Sequence, residues 1–372
     1  MTDEMPDRKI HKLTIKGFKT IRSLENFEMR DINVLIGANG SGKSNFISYF
    51  RMLGELVEGR LQFWVRKQGG ADRILTYGIK ETEKLATSIF FGKNAYGFVL
   101  QPSDNDGLIF ADEAMFYSGV TKNNNYYNHS LGKGHLESLL KQRYEKQRSG
   151  IPYYIYPAVS AWKVFHFHDT SDTALMKRLR SLDDDAYLRP DASNLAAYLY
   201  RLRKDYPNTY QQIRKTVQLA IPFFDDFVLN PETLPTGEQQ IRLLWQQRDS
   251  DYPMWASQLS DGSLRFICLT TAFLQPDPPS TIIIDEPELG LHPYAIDLLG
   301  ALVKSASTRM QVILSTQSVL LLNEFELEDI IVVEREDGVS TFKRHNSKDF
   351  ELWLEDYTIG ELWEKNVLGG IP

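Results

Sequence analysis

The sequence contains one cysteine, Cys268, among 372 residues, which excludes an intramolecular disulfide framework. A chain without disulfides is typical of a reducing compartment, so the expected location is the cytoplasm. The sequence also lacks any apolar run approaching the roughly 18 residues of a membrane span, and its first residues, MTDEMPDRKIHK, are polar. We therefore expect a soluble cytoplasmic protein with no membrane partner.

An excess of positive charge is also absent, because 42 Lys and Arg residues stand against 49 Asp and Glu, a formal net charge of −7. A local basic groove remains compatible with this acidic total. Basic residues cluster at Lys9, Lys12, Lys16, Lys19 and Arg22, at Arg66, Lys67 and Arg73, and at Lys177, Arg178, Arg180, Arg201, Arg203 and Lys204. These clusters would suit DNA phosphates, and they equally fit ordinary solvated faces. DNA is therefore a possible partner.

No heptad pattern persists over three or four repeats, which excludes long coiled-coil arms. The apolar run at residues 32–37 is continuous, as in a strand buried on both faces, and strands alternate with helices again at residues 259–316. Short runs bounded by Gly, Asn and Asp at residues 86–120 predict an antiparallel subsheet. The fold class is therefore α/β, with a mixed sheet, an antiparallel β-subdomain and a mainly helical insertion.

A phosphate-binding loop follows the first buried strand. The P-loop (Walker A) motif G-x-x-x-x-G-K-[ST] is matched by Gly37, Ala38, Asn39, Gly40, Ser41, Gly42, Lys43 and Ser44, with Asn45 next in the chain. Its glycines allow successive backbone N–H groups to point at phosphate oxygens, and the following helix offers its positive N-terminal end. Lys43 should reach the β- and γ-phosphates, and the Ser44 hydroxyl should bind Mg²⁺.

A second apolar strand, TIIIDEPE from residue 281, carries two acidic residues at its end, as a Walker B motif does. At the carboxyl end of a strand beside the P-loop, Asp285 can hold the Mg²⁺ shell. Neighbouring strand residues point in different directions, so Glu286 can polarise the attacking water. Without a P-loop upstream, these residues would indicate only a solvated acidic turn.

A second anion site is indicated by the segment LSDGSLR, residues 259–265. A hydroxyl and backbone donors at a helix N-terminus are supplied by Ser260, Asp261, Gly262 and Ser263. In isolation the same residues would be a plain helix cap.

The order P-loop, insertion, signature loop, Walker B strand and STQS resembles the ABC class of ATPases, which implies a P-loop NTPase with an ABC-type head. The resemblance implies a head-to-tail dimer with two ATPs at the interface, in which Ser260 and Gly262 contact the γ-phosphate on the partner. Asp261 and Ser263 depart from the transporter-like LSGGQ. Gln317 stands where many of these ATPases have a switch histidine, and an amide does not titrate near neutral pH, so slow hydrolysis without a histidine-like pH step is expected.

The N-terminal LTIKGFKTI resembles the RecF, SMC and OLD branch of this class rather than transporter subunits. The segments GGADRILTYG, VFHFHDTS, RPDASNLAAYLYRL and GELWEKNVLGGIP resemble a bacterial family of predicted stand-alone AAA-type (AAA_21) ATPases. Fewer than ninety residues follow Asp285, so the Toprim nuclease domain that OLD proteins carry after the ATPase is not expected here. The resemblance implies ATP and Mg²⁺ as cofactors, and a homodimer or higher even-numbered assembly. It also implies a separate effector, a nuclease or toxin, in DNA maintenance or anti-phage defence.

The expected domain organisation follows from these segments. We predict an N-terminal ATPase lobe over residues 1–128, a mainly helical insertion over 129–222, a C-terminal ATPase lobe over 223–346 and a tail over 347–372. Within the insertion, the pattern of ALMKRLRSL at residues 174–182 predicts a helix. The tail exposes Trp353 and Trp363, which could pack on the domain or dock a partner.

Two histidine motifs leave alternatives open. His166 and His168 share a strand face beside Asp169, which fits a metal site or, without further ligands, a structural brace. His292 could be catalytic, or it could be a turn histidine near a subunit contact. The function also has two versions. The ATP-switched dimer could bind nucleic acid and control its effector, or it could be a nucleotide-gated scaffold or inhibitor of a toxin that binds no DNA.

Overall fold

A computed structural model describes residues 8–118, 127–147 and 149–370. Its β-strands are β1 (Lys12–Phe18), β2 (Ile21–Glu28), β3 (Ile32–Ile36), β4 (Leu85–Phe91), β5 (Asn94–Pro102), β6 (Leu108–Tyr117), β7 (Tyr127–Gly132), β8 (Trp162–Phe165), β9 (Arg180–Ser181), β10 (Phe224–Val228), β11 (Glu232–Thr233), β12 (Gln239–Ile241), β13 (Leu244–Gln247), β14 (Pro253–Trp255), β15 (Thr281–Asp285), β16 (Gln311–Ser315), β17 (Ile330–Glu336) and β18 (Val339–Arg344). Its α-helices are α1 (Lys43–Val57), α2 (Leu61–Gln68), α3 (Ala71–Ile74), α4 (Leu140–Lys146), α5 (Ile151–Ser160), α6 (Leu195–Asp205), α7 (Pro207–Ala220), α8 (Asp261–Leu274), α9 (Pro293–Ser307), α10 (Val319–Leu322), α11 (Glu351–Asp356) and α12 (Ile359–Glu364).

The central sheet has the strand order β18-β17-β3-β16-β15-β8. All its pairings are parallel except that of β17 with β18. Its middle strands are apolar on both faces, because Ile282 and Ile284 join one hydrophobic core while Ile283 joins the other. Burial on both faces explains the continuous apolar runs, and the parallel arrangement brings the ends of β3, β15 and β16 to one edge.

The second large sheet is antiparallel and has the order β2-β1-β4-β5-β6-β7. Strands β1 and β2 form an N-terminal antiparallel hairpin, and the antiparallel subsheet predicted at residues 86–120 is confirmed. Helix α1 contributes Phe46, Tyr49 and Phe50 to the core that this sheet shares with one face of the central sheet. The helix that follows the P-loop is therefore fixed between the two sheets.

The region predicted as an insertion is partly built into the central sheet. Strand β8 pairs in parallel with β15, so a segment of 129–222 forms the edge of that sheet. The helix predicted at 174–182 is wrong: the structure has a 3₁₀ turn over Leu175–Lys177 and then β9, which pairs with β12. A distant strand supplies the backbone partners there, and it overrides the local helical pattern. The domain boundaries stay a prediction.

One part of the C-terminal tail packs on the domain, and another part is exposed. Leu362, Trp363 and Leu368 are buried in the core of the ATPase, whereas Leu352 is 81% exposed and Trp353 is 45% exposed. The last two residues of the predicted tail, 371–372, lie outside the described residues. Across the ranges that the structure does describe, no helix has the length and apolar character needed to cross a membrane.

The buried side chains of the central sheet should contribute strongly to the free energy of unfolding. Ile283 is fully buried in β15, so Ile283→Ala should lower the free energy of unfolding by about 2–5 kcal/mol through lost burial and a residual cavity. Leu352→Ala, at an exposed position, should change it by no more than about 0.5 kcal/mol. Urea denaturation of both variants measures the difference, and equal effects would contradict the described packing.

Candidate nucleotide-binding site

The P-loop connects β3 to α1 through glycines that no other residue could replace without strain. Gly37, Gly40 and Gly42 have φ values of 145°, 79° and 118°, in the range that favours glycine. A Cβ atom at Gly37 would lie 2.1 Å from the Val333 carbonyl oxygen, and one at Gly42 would lie 2.0 Å from Ser340 Oγ. The loop is thus packed against β17 at Gly37 and against β18 at Gly42, with no room for a side chain at either position.

Lys43 is a buried cation at the start of α1, with 6% of its surface exposed. Its Nζ atom donates to the carbonyl oxygens of Gly37 at 2.5 Å and Ala38 at 3.0 Å. Burial lowers the pKa of Lys43, and the negative charges of Glu286 and Asp285 act in the opposite direction. The structure therefore brings the P-loop lysine and the acidic end of β15 into one electrostatic neighbourhood.

Gln317 joins the P-loop to the end of β15. Its Nε2 atom donates to Asn39 Oδ1 at 2.8 Å and to Glu286 Oε1 at 2.7 Å. Glu286 itself has a φ of 44°, a left-handed conformation that is rare outside glycine, and its N–H donates to the Ser315 carbonyl oxygen at 2.8 Å. Such backbone strain is typical of functional sites.

The remaining predicted phosphate and metal residues lie on the first turn of α1 and at the end of β15. Ser44 is exposed at the start of α1, Asp285 is partly buried as the last residue of β15, and Asn45 donates from Nδ2 to Thr20 Oγ1 at 2.8 Å. Within the described residues, the buried atoms Ser41 Oγ and Ser315 Oγ have no hydrogen-bond partner. Orphaned hydroxyls, a buried lysine and carboxylates together fit a polyphosphate with Mg²⁺, which keeps water and phosphate oxygens among its ligands.

The signature loop, residues 259–265, forms a helix cap, which is one of the two interpretations that its sequence allowed. Ser260 precedes α8, and its Oγ atom accepts from the Ser263 N–H at 3.1 Å. Ser260 and Asp261 are exposed, whereas Gly262 is buried against the turn after β15. Among the described residues, no hydrogen bond or ion pair joins this loop to the P-loop of the same chain.

Arg265 is a residue that the sequence analysis did not assign. It is 5% exposed, and its Nε atom donates to the Phe167 carbonyl oxygen at 3.0 Å. Its Nη1 atom donates to the Leu289 carbonyl oxygen, and its Nη2 atom donates to the His168 carbonyl oxygen at 3.4 Å. Burial lowers the pKa of Arg265. The arginine of LSDGSLR therefore ties α8 to the segment after β8 and to the turn after β15.

Glu288 was also missed, although it follows Glu286 by only two residues. Its Oε1 atom accepts from Thr316 Oγ1 at 2.6 Å and from the Gln317 N–H at 3.0 Å. Burial raises the pKa of Glu288, against these two hydrogen bonds, which favour the anion. A third carboxylate so close to the end of a strand was the only signal available in the sequence.

The histidine motifs have structural contacts. His166 and His168 are exposed, while the neighbouring Phe165 and Phe167 are buried, and the His166 N–H donates to the Pro190 carbonyl oxygen at 3.0 Å. Over the part of the chain that the structure covers, no group of three or more His, Cys, Asp or Glu residues could hold a metal ion. His292 caps α9, since its Nδ1 atom accepts from the Tyr294 N–H at 3.3 Å.

The basic clusters differ in their surroundings. Ion pairs join Lys9 to Asp31, Lys12 to Glu28 and Lys16 to Glu25. These pairs favour the solvated-face reading for the N-terminal cluster. Arg66 and Lys67, by contrast, are exposed at the end of α2, near Phe63, which is 64% exposed.

A cavity of about 590 Å³ opens beside the P-loop helix. Among its lining residues are Lys19, Thr20, Asn45, Arg73, Tyr77 and Arg335. Burial lowers the pKa of Lys19, and the nearby charge of Arg51 acts in the same direction. The cavity adjoins Asn45 and has room for a group larger than phosphate.

The fold and the site together define an ABC-type head of the P-loop NTPase class, with a mixed central sheet and an antiparallel sheet. The structure is similar to that of the Smc head bound to the C-winged helix domain of ScpA, with 17% sequence identity and a TM-score of 0.55 over 92% of this chain and 99% of that chain. It is also similar to the Smc head domain with an extended coiled coil bound to the C-terminal domain of ScpA derived from Pyrococcus furiosus. That comparison has 16% identity and a TM-score of 0.58 over 95% of this chain and 99% of that chain.

The chain belongs to the AAA_21 family, described as "AAA domain, putative AbiEii toxin, Type IV TA system", whose sequence pattern matches residues 136–323. The matched region includes the signature loop, the Walker B strand and Gln317. No curated protein matches the sequence. Family and fold together indicate an AAA_21 ATPase with the fold of the Smc head.

The tight packing of the signature loop predicts an intolerance to small changes. A Cβ atom at Gly262 would lie 2.0 Å from the Gly290 carbonyl oxygen, so Gly262→Ala should shift the loop or the turn and destabilise the protein by about 1–3 kcal/mol.

Gly54→Ala is the matched control. Gly54 lies inside α1, and a Cβ atom there would meet no atom within 4 Å apart from the backbone of the helix itself. It should stabilise the protein by about 0.5–1 kcal/mol through helix propensity. Thermal unfolding of both variants tests this contrast, and a harmless Gly262→Ala would show that the loop is more loosely packed than described.

Proposed function

We propose that this protein binds ATP with Mg²⁺ and hydrolyses it slowly, as a nucleotide switch. The observation that carries the proposal is the Gln317 bridge, because one side-chain amide contacts both the P-loop and Glu286 beside the buried Lys43. These are the groups that phosphoryl transfer needs: a phosphate cradle, a cation and a carboxylate that can orient water.

Each residue would have a separate part in hydrolysis. The backbone of residues 37–44 and the Lys43 ammonium would hold the phosphates, and Ser44 with Asp285 would hold the Mg²⁺ shell. Glu286 would accept a proton from the attacking water, since its carboxylate already accepts a hydrogen bond from Gln317. Bound Mg²⁺ would neutralise charge on the transferred phosphate group.

The signature loop would act on a second copy of the chain. Ser260 and Asp261 are exposed at the N-terminus of α8, where backbone N–H groups can bind an anion. Among the described residues, no hydrogen bond joins this loop to the P-loop of the same chain. A head-to-tail homodimer would place Ser260, Asp261, Gly262 and Ser263 against the nucleotide of the partner. The cavity beside Asn45 would receive the nucleoside, because it adjoins the first turn of the P-loop helix.

The cellular role would be the control of a separate effector in DNA maintenance or anti-phage defence. The exposed Arg66 and Lys67 support direct contact with DNA. The second candidate is a nucleotide-gated scaffold or inhibitor of a toxin that binds no DNA. The family description, which names a putative toxin of a Type IV toxin–antitoxin system, links the family to such systems.

The dimer is tested by measuring mass in solution. Glu286→Gln should slow hydrolysis and hold the ATP-bound state, so its mass should double when ATP and Mg²⁺ are added. Adding Ser260→Arg should abolish the doubling, because the longer cationic side chain would block the signature loop.

Ser257→Arg is the matched control, since Ser257 is exposed in the 3₁₀ turn Ala256–Gln258 before the cap. It should leave the doubling intact. A doubling that survives Ser260→Arg would argue against the head-to-tail arrangement, and absence of ATP binding by the unaltered protein would remove the proposed function.

Salt dependence separates the two cellular roles. With ATP and Glu286→Gln, affinity for duplex DNA should fall steeply as salt rises, because counterions are released from phosphates. Arg66→Glu with Lys67→Glu should reduce the slope of log affinity against log salt by about one for each DNA phosphate that the protein no longer neutralises. Lys12→Glu, at a lysine already paired with Glu28, is the control. Absence of ATP-dependent DNA binding would favour the toxin scaffold.

A further inference from the structure

Glu288 is a carboxylate to which the proposed hydrolysis assigns no role, yet it lies between two parts of the site. It stands in the turn after β15, and its Oε1 atom accepts from Thr316 Oγ1 at 2.6 Å and from the Gln317 N–H at 3.0 Å. Its Oε2 atom is buried and has no partner among the described residues. Placing a carboxylate in such surroundings costs free energy unless its hydrogen bonds offset the lost hydration.

These hydrogen bonds determine the conformation of the segment 316–318. Thr316 Oγ1 donates to Glu288 and also accepts from the Ser318 N–H at 3.0 Å. Glu288 thus holds the Gln317 backbone directly, and it holds the next residue through Thr316. The Gln317 side chain is exposed, and the hydrogen bonds that restrain it among the described residues are those with Asn39 and Glu286. The direction in which Gln317 points therefore depends on its anchored backbone.

The turn that carries Glu288 is itself fixed from the opposite side. Arg265 donates to the Leu289 carbonyl oxygen, and Gly262 is packed against the Gly290 carbonyl oxygen. The Leu291 N–H donates to the Glu288 carbonyl oxygen at 2.9 Å, which closes the turn. The turn after β15 is therefore fixed against α8, and the Glu288 carboxylate extends from this turn towards Gln317.

We infer that Glu288 is a positioning residue that fixes Gln317 so that its amide meets Asn39 and Glu286. This inference rests on the proposed ATPase function. Glu288 acts through Gln317 and not on the reacting atoms. The turn that carries Glu288 is packed on α8. The Glu288 carboxylate therefore also connects the signature loop to Gln317, which contacts the P-loop.

The test compares variants at two positions. Glu288→Ala should lower kcat by about tenfold to a hundredfold, because a misplaced Gln317 no longer orients Glu286, while nucleotide affinity should stay within about twofold. Glu288→Gln should stay within about threefold of the unaltered protein, because its amide oxygen can still accept from Thr316 and Gln317. Glu364→Ala, at an exposed glutamate in α12, controls for loss of a carboxylate and should have no effect.

The decisive measurement is the effect of Glu288→Ala in a Gln317→Ala background. If Glu288 acts through Gln317, the second substitution should lower kcat no further, since coupled residues are not additive. A general structural defect would lower kcat by the same factor in both backgrounds, and that result would overturn the inference. Equal losses from Glu288→Gln and Glu288→Ala would also overturn it, because the charge and not the acceptor would then matter.

Hydrogen exchange gives a readout that needs no hydrolysis. In the nucleotide-free protein, the Gln317 N–H donates to Glu288, so Glu288→Ala should speed amide exchange in the peptide containing Gln317 by about tenfold. Unchanged exchange there would overturn the positioning role. Faster exchange in a protein that fails to hydrolyse ATP would instead place the failure in the proposed function.

Discussion

The site depends on one buried cation, Lys43, which the fold holds at the meeting point of the P-loop and the acidic end of β15. An ammonium group taken out of water is costly unless it is paired or hydrogen-bonded. Two P-loop carbonyl oxygens accept from it, and the charges of Glu286 and Asp285 offset part of its loss of hydration. The glycine loop, the edge of the parallel sheet and the carboxylates therefore together stabilise the Lys43 ammonium group in its buried position.

The parallel central sheet supplies the second constraint. Strands β3, β15 and β16 are neighbours with their carboxyl ends at one edge, so the P-loop, the Walker B residues and Gln317 converge there although they are far apart in sequence. Because both faces of the sheet are buried, a shift of one strand would disturb two cores at once. This rigidity suits a site whose donors and acceptors must be placed in advance.

The turn after β15 is the place where the two halves of the proposed switch meet. Arg265 and Gly262 fix it to α8, and Glu288 joins it to the segment of Gln317. The tail adds a further connection, because the Gly360 N–H donates to Asn323 Oδ1 at 2.8 Å, at the end of the α10 helix that follows Gln317. A change at the signature loop thus has a short packed route to the P-loop edge.

Local chemistry alone indicated the P-loop and the Walker B strand, because glycine dihedral freedom and burial on both faces of a strand are properties of neighbouring residues. The order of these motifs also predicted the ABC-type fold class, and the resemblance of other segments predicted the AAA_21 family. Only the tertiary structure decided the rest.

The residues that the sequence analysis missed share one property: their partners are distant in the chain. Strand β8 joined the central sheet through β15, and β9 replaced a predicted helix by pairing with β12. Arg265 contacts backbone oxygens nearly a hundred residues earlier, and Glu288 contacts the segment that follows β16. A local pattern shows how a segment can fold, but only the packed structure decides which buried polar groups meet, because each must find its hydrogen-bond partner there.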